Sequence, residues 1–435
     1  MDILSIIEKK RTKKSLSKAE IDFFIDQLVN QKNIKDYQAA ALLMAVNING
    51  MNDEETFLLT DAMLRSGSII DLHQTSGIII DKHSTGGVGD KVSLILAPIC
   101  VALGLKVAKL SGKGLGHTGG TIDKLESIGV NCNLRRKQYS SLLKNVGMFI
   151  MAQTSEITPA DRTIYNLRNA TSTVQSVPLI ASSIVCKKLA LKTDYIFLDV
   201  KVGNGGFCKT VSDASKLATA LLKIFKKYQR RAIVHITNME QPLGRAIGNA
   251  IEIKASIDFL KGHPECLNVK KLIYDFVCDI LLATKKITKR NVGIELIDDV
   301  IKSGKALKVF YQWVKAQQAN MTLLQNGRYF HPKHKLIIKA PNTGYVNYHS
   351  TKAIGLISFH LGAGRLHKED PIDYHAGIFL NKINDEFVTK NEPVATFYSS
   401  KPIDQSLVKQ FLDNLHISKK CLHKTKPIII KVMDK

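Results

Sequence analysis

Cysteine pairing is missing from this chain. Its seven cysteines (100, 132, 186, 208, 266, 278 and 421) are odd in number, scattered, and nowhere spaced as C-x-x-C. Neither a disulfide framework nor a zinc site is therefore indicated. Most sit in apolar surroundings as packed thiols, and Cys186 has no base identifiable beside it. A long hydrophobic run is also missing. The longest, Val92 to Leu105, is broken by Pro98 and falls short of a membrane span. Met1-Asp2-Ile3-Leu4 begins directly on a helical pattern, without the basic region, apolar core and small-residue cleavage site of a signal peptide. A cytoplasmic protein with no membrane partner is expected. Acidic residues are few: 38 Asp and Glu against 62 Lys and Arg give a net charge of +24. The basic residues spread from Lys9 to Lys435 instead of forming one aromatic-interleaved face. No helix-turn-helix, zinc-finger or RNA-recognition signature accompanies them, so no nucleic-acid partner is expected. Such a charge suits the steering of an anionic substrate towards a cleft.

The usual phosphate signatures are absent as well. There is no G-x-x-x-x-G-K-[ST], and Gly86-Gly87-Val88-Gly89 lacks the G-x-G-x-x-G spacing. What stands in their place is a pair of glycine-rich loops, each running from an apolar strand into a helix. The first is Lys82-His-Ser-Thr-Gly-Gly-Val-Gly-Asp90, the second Ser111-Gly-Lys-Gly-Leu-Gly-His-Thr-Gly-Gly120. Glycines let backbone N–H groups approach a ligand closely, and a helix N-terminus adds unpaired donors with partial positive charge. Lysines and hydroxyls in the same loops supply further donors to oxyanions. Glycines that merely shape tight turns would explain one such loop; two carrying Lys, Ser, Thr and His indicate a phosphate gripped from two sides.

A chain of 435 residues holds two or three domains. Residues 1–70 read as an all-α unit, with capping boxes at Ser17/Glu20 and Asn52/Glu55 and a helix start at Asp36. It is completed by the helical stretch 160–192. Residues 71–159 and 193–330 read as an α/β unit, with buried parallel strands at Ile78–Asp81, Val107–Leu110, Met148–Ala152, Ile196–Val200 and Ile233–Ile236. Helices are expected at Asp213–Lys226, Pro242–Ile253, Val269–Thr284 and Val292–Ala316. Residues 331–435 read as a smaller α+β domain, with strands at Leu336–Lys339, Gly344–Asn347, Ala353–Phe359 and Pro393–Phe397. The fold class is α/β with an all-α domain and a C-terminal α+β domain.

A third block, from Tyr165 through Arg168 to Lys188, places Ser183 and Lys187 four residues apart on one helical face. Arg168 offers a planar fork of donors. Alone, Lys187 and Lys188 would read as a solvated face. With the loops, with Asp199-Val-Lys-Val-Gly-Asn-Gly-Gly206, Gln241-Pro-Leu-Gly244 and Ala363-Gly-Arg-Leu-His-Lys-Glu-Asp370, the chain resembles the pyrimidine and thymidine phosphorylases over essentially its whole length. Lys113 departs from the arginine usual there, keeping the charge but losing the fork.

That resemblance implies an active-site cleft between the α and α/β domains and a homodimer. It implies phosphate binding by Lys82, Ser84, Ser93, Lys109, Ser111 and Thr121, and pyrimidine binding by Arg168, Ser183 and Lys187. His83 would sit between the two, near the base O2, titrating near working pH. The catalytic set is then His83, Lys82, Arg168 and Lys187. Phosphate, already an anion, is a co-substrate that needs positioning more than activation, and no cofactor or catalytic metal is expected. Some relatives hold potassium near the positions of Gly89, Leu243 and Ala246. Here Lys91 stands where they have threonine and Ala255 where they have glutamate, so an ammonium substitute and potassium independence are expected. Rival readings are an anthranilate-phosphoribosyltransferase-like enzyme, which would need magnesium and an acidic pair, and a non-catalytic nucleic-acid-binding homologue. A nucleotide phosphorylase of archaeal type would carry an extra N-terminal domain.

Overall fold

A computed structural model describes every residue except 31–32, 73–74, 115–118, 155, 366–369, 422–426 and 435. Local capping sets the first four helices, Ile3–Arg11, Lys18–Val29, Asp36–Asn49 and Asp53–Arg65. Ser17 N donates to Glu20 Oε2 at 2.6 Å, and Asn52 and Glu55 exchange bonds of 2.8 and 2.9 Å. Each such cap stabilises its helix by about 1 kcal/mol. Asp36 is the first helical residue and no cap; Gln38 Oε1 instead accepts from Lys35 N at 3.0 Å. The helices Pro159–Ala170 and Val177–Ala190 return to this bundle, and Phe24, Leu43, Leu59, Ile164 and Leu179 share its core. Bundle and sheet meet at Ile70, whose N donates to Ala190 O and whose O accepts from Lys192 N, and they share one continuous core.

Strands β1 (Ile79–Ser84), β2 (Lys106–Ser111), β3 (Met148–Ala152), β4 (Tyr195–Val202) and β5 (Arg231–Asn238) are parallel neighbours in the order β5-β4-β1-β2-β3. Period-two alternation divides their side chains between two cores. Ile79, Ala108, Leu198 and Val234 join the bundle, while Ile80, Val107 and Phe197 pack on the helices Val92–Ala102 and Leu267–Ala283.

The stretch expected to be helical from Pro242 to Ile253 begins instead as a short strand, β6 (Ala246–Gly248), and the helix runs Ala250–Leu260. Gly244, at φ 88°, is left-handed and cannot continue a right-handed helix there. Val292–Ala316 is two helices, Arg290–Lys302 and Lys305–Ala316, parted at Ser303-Gly304.

Beyond them lie β7 (His334–Lys339), β8 (Gly344–Tyr348), β9 (Gly377–Leu380), β10 (Phe387–Val388), β11 (Pro393–Ser399), β12 (Leu415–Ser418) and β13 (Ile429–Met433). The expected strand Ala353–Phe359 is a helix, Thr351–Ser358: Ser350 Oγ caps Ala353 N at 3.1 Å, and Thr351, Ile354, Ile357 and Ser358 are buried at helical spacing. Two strands are exchanged between the units. β6 joins the C-terminal sheet β6-β9-β11-β7, and β13 pairs antiparallel with β5 at the edge of the central sheet. No helix among the described residues is long and apolar enough to cross a membrane.

Candidate functional site

Alternation along β1 decides what each loop residue meets. Asp81 and His83 face the helical bundle; Lys82 and Ser84 face the other core, as do Lys109 of β2 and Asp199 and Lys201 of β4. Lys82 Nζ pairs with Asp199 Oδ2 at 3.2 Å and stands 5.6 Å from the Phe276 ring centroid. Lys201 Nζ reaches the same oxygen at 2.6 Å, and Thr237 Oγ1 donates to Asp199 Oδ1 at 2.6 Å. Lys109 Nζ donates to Lys82 O at 2.5 Å. All three lysines are buried. Burial pushes the Lys109 ammonium down to about 7; the charges of Lys188 and Lys82 add to this, and Asp81 opposes it.

The first loop closes on itself. Ser84 Oγ donates to Asp90 Oδ2 at 2.5 Å and accepts from Gly86 N at 3.1 Å, while Asp90 Oδ1 accepts from Val92 N. Burial alone would raise the Asp90 carboxyl, but Lys201, Lys82 and the Ser84 bond hold it far below the carboxylate range. Ser93 follows in the first turn of the Val92–Ala102 helix, buried.

Ser111 ends β2 and Thr121 starts the helix Thr121–Glu126, so both flank the second loop. Leu115, Gly116, His117 and Thr118 of that loop, and Leu366–Glu369 of the C-terminal block, lie outside the described residues. The rest is held from the C-terminal domain. Asp123 accepts from Gly114 N at 2.5 Å and from Arg365 Nη2 at 2.6 Å; Glu126 pairs with Lys113 at 3.0 Å and accepts from Tyr374 Oη at 3.3 Å.

On the bundle side, Lys187 Nζ donates to Ser183 Oγ at 2.7 Å and pairs with Asp161 Oδ2 at 2.6 Å. The Arg168 fork, read from sequence as a ligand donor, clamps the following loop: it donates to Thr173 O, Val174 O and Leu179 O at 3.2, 2.6 and 3.0 Å. Burial lowers it to about 10. The Tyr165 ring lies 5.8 Å from the Arg168 guanidinium and 5.6 Å from Lys187 Nζ, so one aromatic ring serves both cations.

His83 belongs to both halves. Burial first, then the charges of Lys188, Lys109, Lys187 and Lys82, push its pKa well below the ordinary histidine value. The expectation that it titrates near working pH is therefore corrected. Its imidazole is neutral near pH 7. Cys186 is a packed thiol, raised by burial.

Sequence reasoning missed Asp161, Asp81, Lys188 and Glu265. Lys188, given no role from sequence, is fully buried, bonded to Asp81 Oδ2 at 2.7 Å and Leu110 O at 3.0 Å. It fastens the bundle to β1 and β2. The available signal was the helix itself: Lys188 stands four residues from Ile184, on the apolar stripe.

Two glycine-rich loops on one open sheet, facing a cationic helix pair across a neutral histidine, define a glycosyl-transfer fold. Residues 4–67 match the "Glycosyl transferase family, helical bundle domain", residues 76–307 the "Glycosyl transferase family, a/b domain", and residues 345–418 the "Pyrimidine nucleoside phosphorylase C-terminal domain". The chain is 45% identical to the thymidine phosphorylase of Mycoplasmoides pirum, covering 96% of this chain and 100% of the relative. It is 44% identical to the pyrimidine-nucleoside phosphorylase of Staphylococcus epidermidis, covering 95% of each. The chain belongs to the thymidine and pyrimidine-nucleoside phosphorylase family. Anthranilate phosphoribosyltransferase from Thermus thermophilus superposes with a TM-score of 0.57 over 72% of this chain and 99% of its own, at 17% identity, a likeness of fold alone.

Proposed function

We propose that this enzyme catalyses the reversible phosphorolysis of pyrimidine nucleosides, giving the free base and an α-(2-deoxy)ribose 1-phosphate. The observation that carries the reading is two sets of cations, Lys82 and Lys109 buried on the strands and Arg168 with the Ser183–Lys187 pair (2.7 Å) on the bundle helices. Phosphate is held by Lys82, Ser84, Ser93, Lys109, Ser111 and Thr121, which fixes it against the anomeric carbon and lowers the entropic cost of attack. As the N-glycosidic bond breaks, negative charge spreads over the base. Ser183, Lys187 and the two Arg168 N–H groups that its three loop carbonyls leave supply donors to its carbonyl oxygens and N3. Neutral His83 donates a hydrogen bond to O2. One displacement inverts the anomeric centre without a covalent enzyme intermediate. Turnover needs domain closure that brings the two half-sites together and excludes water.

The enzyme serves nucleoside salvage in the cytoplasm, and its substrates are anions or become anionic, which the +24 charge attracts. Thymidine, deoxyuridine and uridine are substrates. Cytidine is a poor one, because its 4-amino donor meets the donors of Lys187 and Arg168. Base release from thymidine, uridine and cytidine, each with and without inorganic phosphate, tests this. Release from the first two only with phosphate, with sugar 1-phosphate as co-product, is expected. Phosphate-independent release would mean a hydrolase, and rapid cytidine cleavage would refute the base site.

The functional unit is a homodimer. Leu4 on helix 3–11 and Tyr37, Met44 and Ile48 on the adjoining helix 36–49 stay exposed as one apolar face. Light scattering should return twice the 48.3 kDa chain mass. Tyr37→Glu should shift the population towards the single-chain mass.

A further inference from the structure

The segment Gln241–Gly248, a loop running into β6, encloses an ammonium group. Lys91 Nζ donates to Leu243 O at 2.9 Å and Ala246 O at 3.1 Å, and pairs with Glu265 Oε2 at 2.9 Å; the side chain is 1% exposed. The cage is built for close approach. A Cβ on Gly89 would stand 2.9 Å from Leu243 O, and one on Gly244 would stand 2.8 Å from Lys91 Nζ. Both glycines have left-handed φ, 76° and 88°. Burial disfavours the Lys91 charge, but Glu265 and Glu252 outweigh it and hold its pKa above the ordinary lysine value.

These residues do not fit a bound potassium ion. The two carbonyls that would ligate it already accept from Lys91, whose own charge would repel a second cation. Ala255, where a carboxylate ligand would stand, packs in an apolar cluster with Ala246 and Ile251. The counter-charge comes from elsewhere, Glu265, in the turn before helix 267–283. Glu265 also accepts from Arg245 N at 3.1 Å and Ala246 N at 3.0 Å. Arg245 in turn pairs with Glu386 of the C-terminal domain and donates to Asn381 O at 2.8 Å. Leu243 N donates to Val88 O in the first glycine-rich loop.

We propose that Lys91 and Glu265 form a tethered replacement for a monovalent cation, joining the first phosphate loop to the C-terminal domain, and that removing the ammonium opens a potassium site. Lys91 is thus a positioning residue of the phosphate loop. The inference rests on the phosphorylase reading only for the identity of that loop.

Thermal unfolding in sodium and in potassium chloride, at constant ionic strength, tests it without reference to turnover. The wild type should melt at the same temperature in both. Lys91→Thr should melt lower in sodium and regain much of the loss in potassium or ammonium, while Glu265→Gln, which keeps the lysine in the cage, should be destabilised equally in every salt. Where Lys91→Thr folds, its KM for phosphate should fall several-fold on exchanging sodium for potassium, with kcat changing less. A wild type that gains stability from potassium overturns the proposal. So does a Lys91→Thr variant that is indifferent to the cation, or a Glu265→Gln variant that potassium restores. If Lys91→Thr does not fold in sodium, folding restored by potassium supports the proposal and failure in both salts overturns it.

Discussion

Lys187→Met will lower kcat/KM for thymidine phosphorolysis by about 10²–10³-fold, the usual cost of losing one donor to charge that develops in the transition state. The loss should fall mainly on kcat, because a neutral base in the ground state asks less of the ammonium than the departing anion does. A purely structural role would give a different pattern. Asp161 is fully buried and its partners are Lys187 at 2.6 Å and Gln153 Nε2 at 2.9 Å. Deleting the lysine strands that carboxylate, which costs about 3–5 kcal/mol of stability. Lys187→Met with Asp161→Asn removes both charges, so its melting temperature should recover while its activity does not. If activity returned with stability in the double variant, Lys187 would be a structural residue and the base site would need to be drawn elsewhere.

Phosphate affinity should fall by about tenfold per pH unit above 7, because Lys109 must be charged to hold a dianion and its ammonium is pushed down to about 7. Burial is the chief cause, and the residue sits against Lys188, Lys82, Asp81 and Asp90. For the unliganded protein the sign is opposite. The lowered pKa means that between about 7 and the ordinary lysine value of about 10.4 the unfolded chain binds the extra proton, so stability from this group rises with pH through that window. Below 7 both states are protonated and the full cost of the buried charge stands. Bound phosphate reverses the effect by holding the proton in place. Calorimetric titration with phosphate at pH 8, in buffers of different ionisation enthalpy, should therefore register proton uptake, after allowance for phosphate's own second ionisation. Lys109→Arg, charged throughout, should flatten the profile. A wild-type affinity that holds steady or rises from pH 7 to 9 would remove Lys109 from the phosphate site.

How far the sequence could be read follows from which forces are local. β3 was legible to the residue, Met148–Ala152, because a strand buried on both faces must be a continuous apolar run. The boxes at Ser17/Glu20 and Asn52/Glu55 were legible because both partners lie within one turn. The helix Thr351–Ser358 was misread because an apolar run of that length fits either period, and its cap at Ser350 was the overlooked arbiter. Lys91 as an ammonium substitute came from the resemblance to relatives that hold potassium there, and Leu243 and Ala246 are the carbonyls it meets. Its counter-ion was not legible, since Glu265 joins it only through the tertiary fold. Two buried lysines that pair with buried aspartates were not legible. Lys188 and Lys201 were given no buried role from sequence, yet each is inside because an aspartate, Asp81 or Asp199, is inside with it.

The reciprocal exchange of β6 and β13 bears on the order in which the molecule is made. During synthesis the edge of β5 stays open until residues 429–433 emerge, although every other strand of its sheet has long been available. An uncovered edge is a template for another chain, so the nascent polypeptide passes through a stage in which it must be shielded or must wait. Once β13 docks, the central and C-terminal units are stitched in both directions and travel as one.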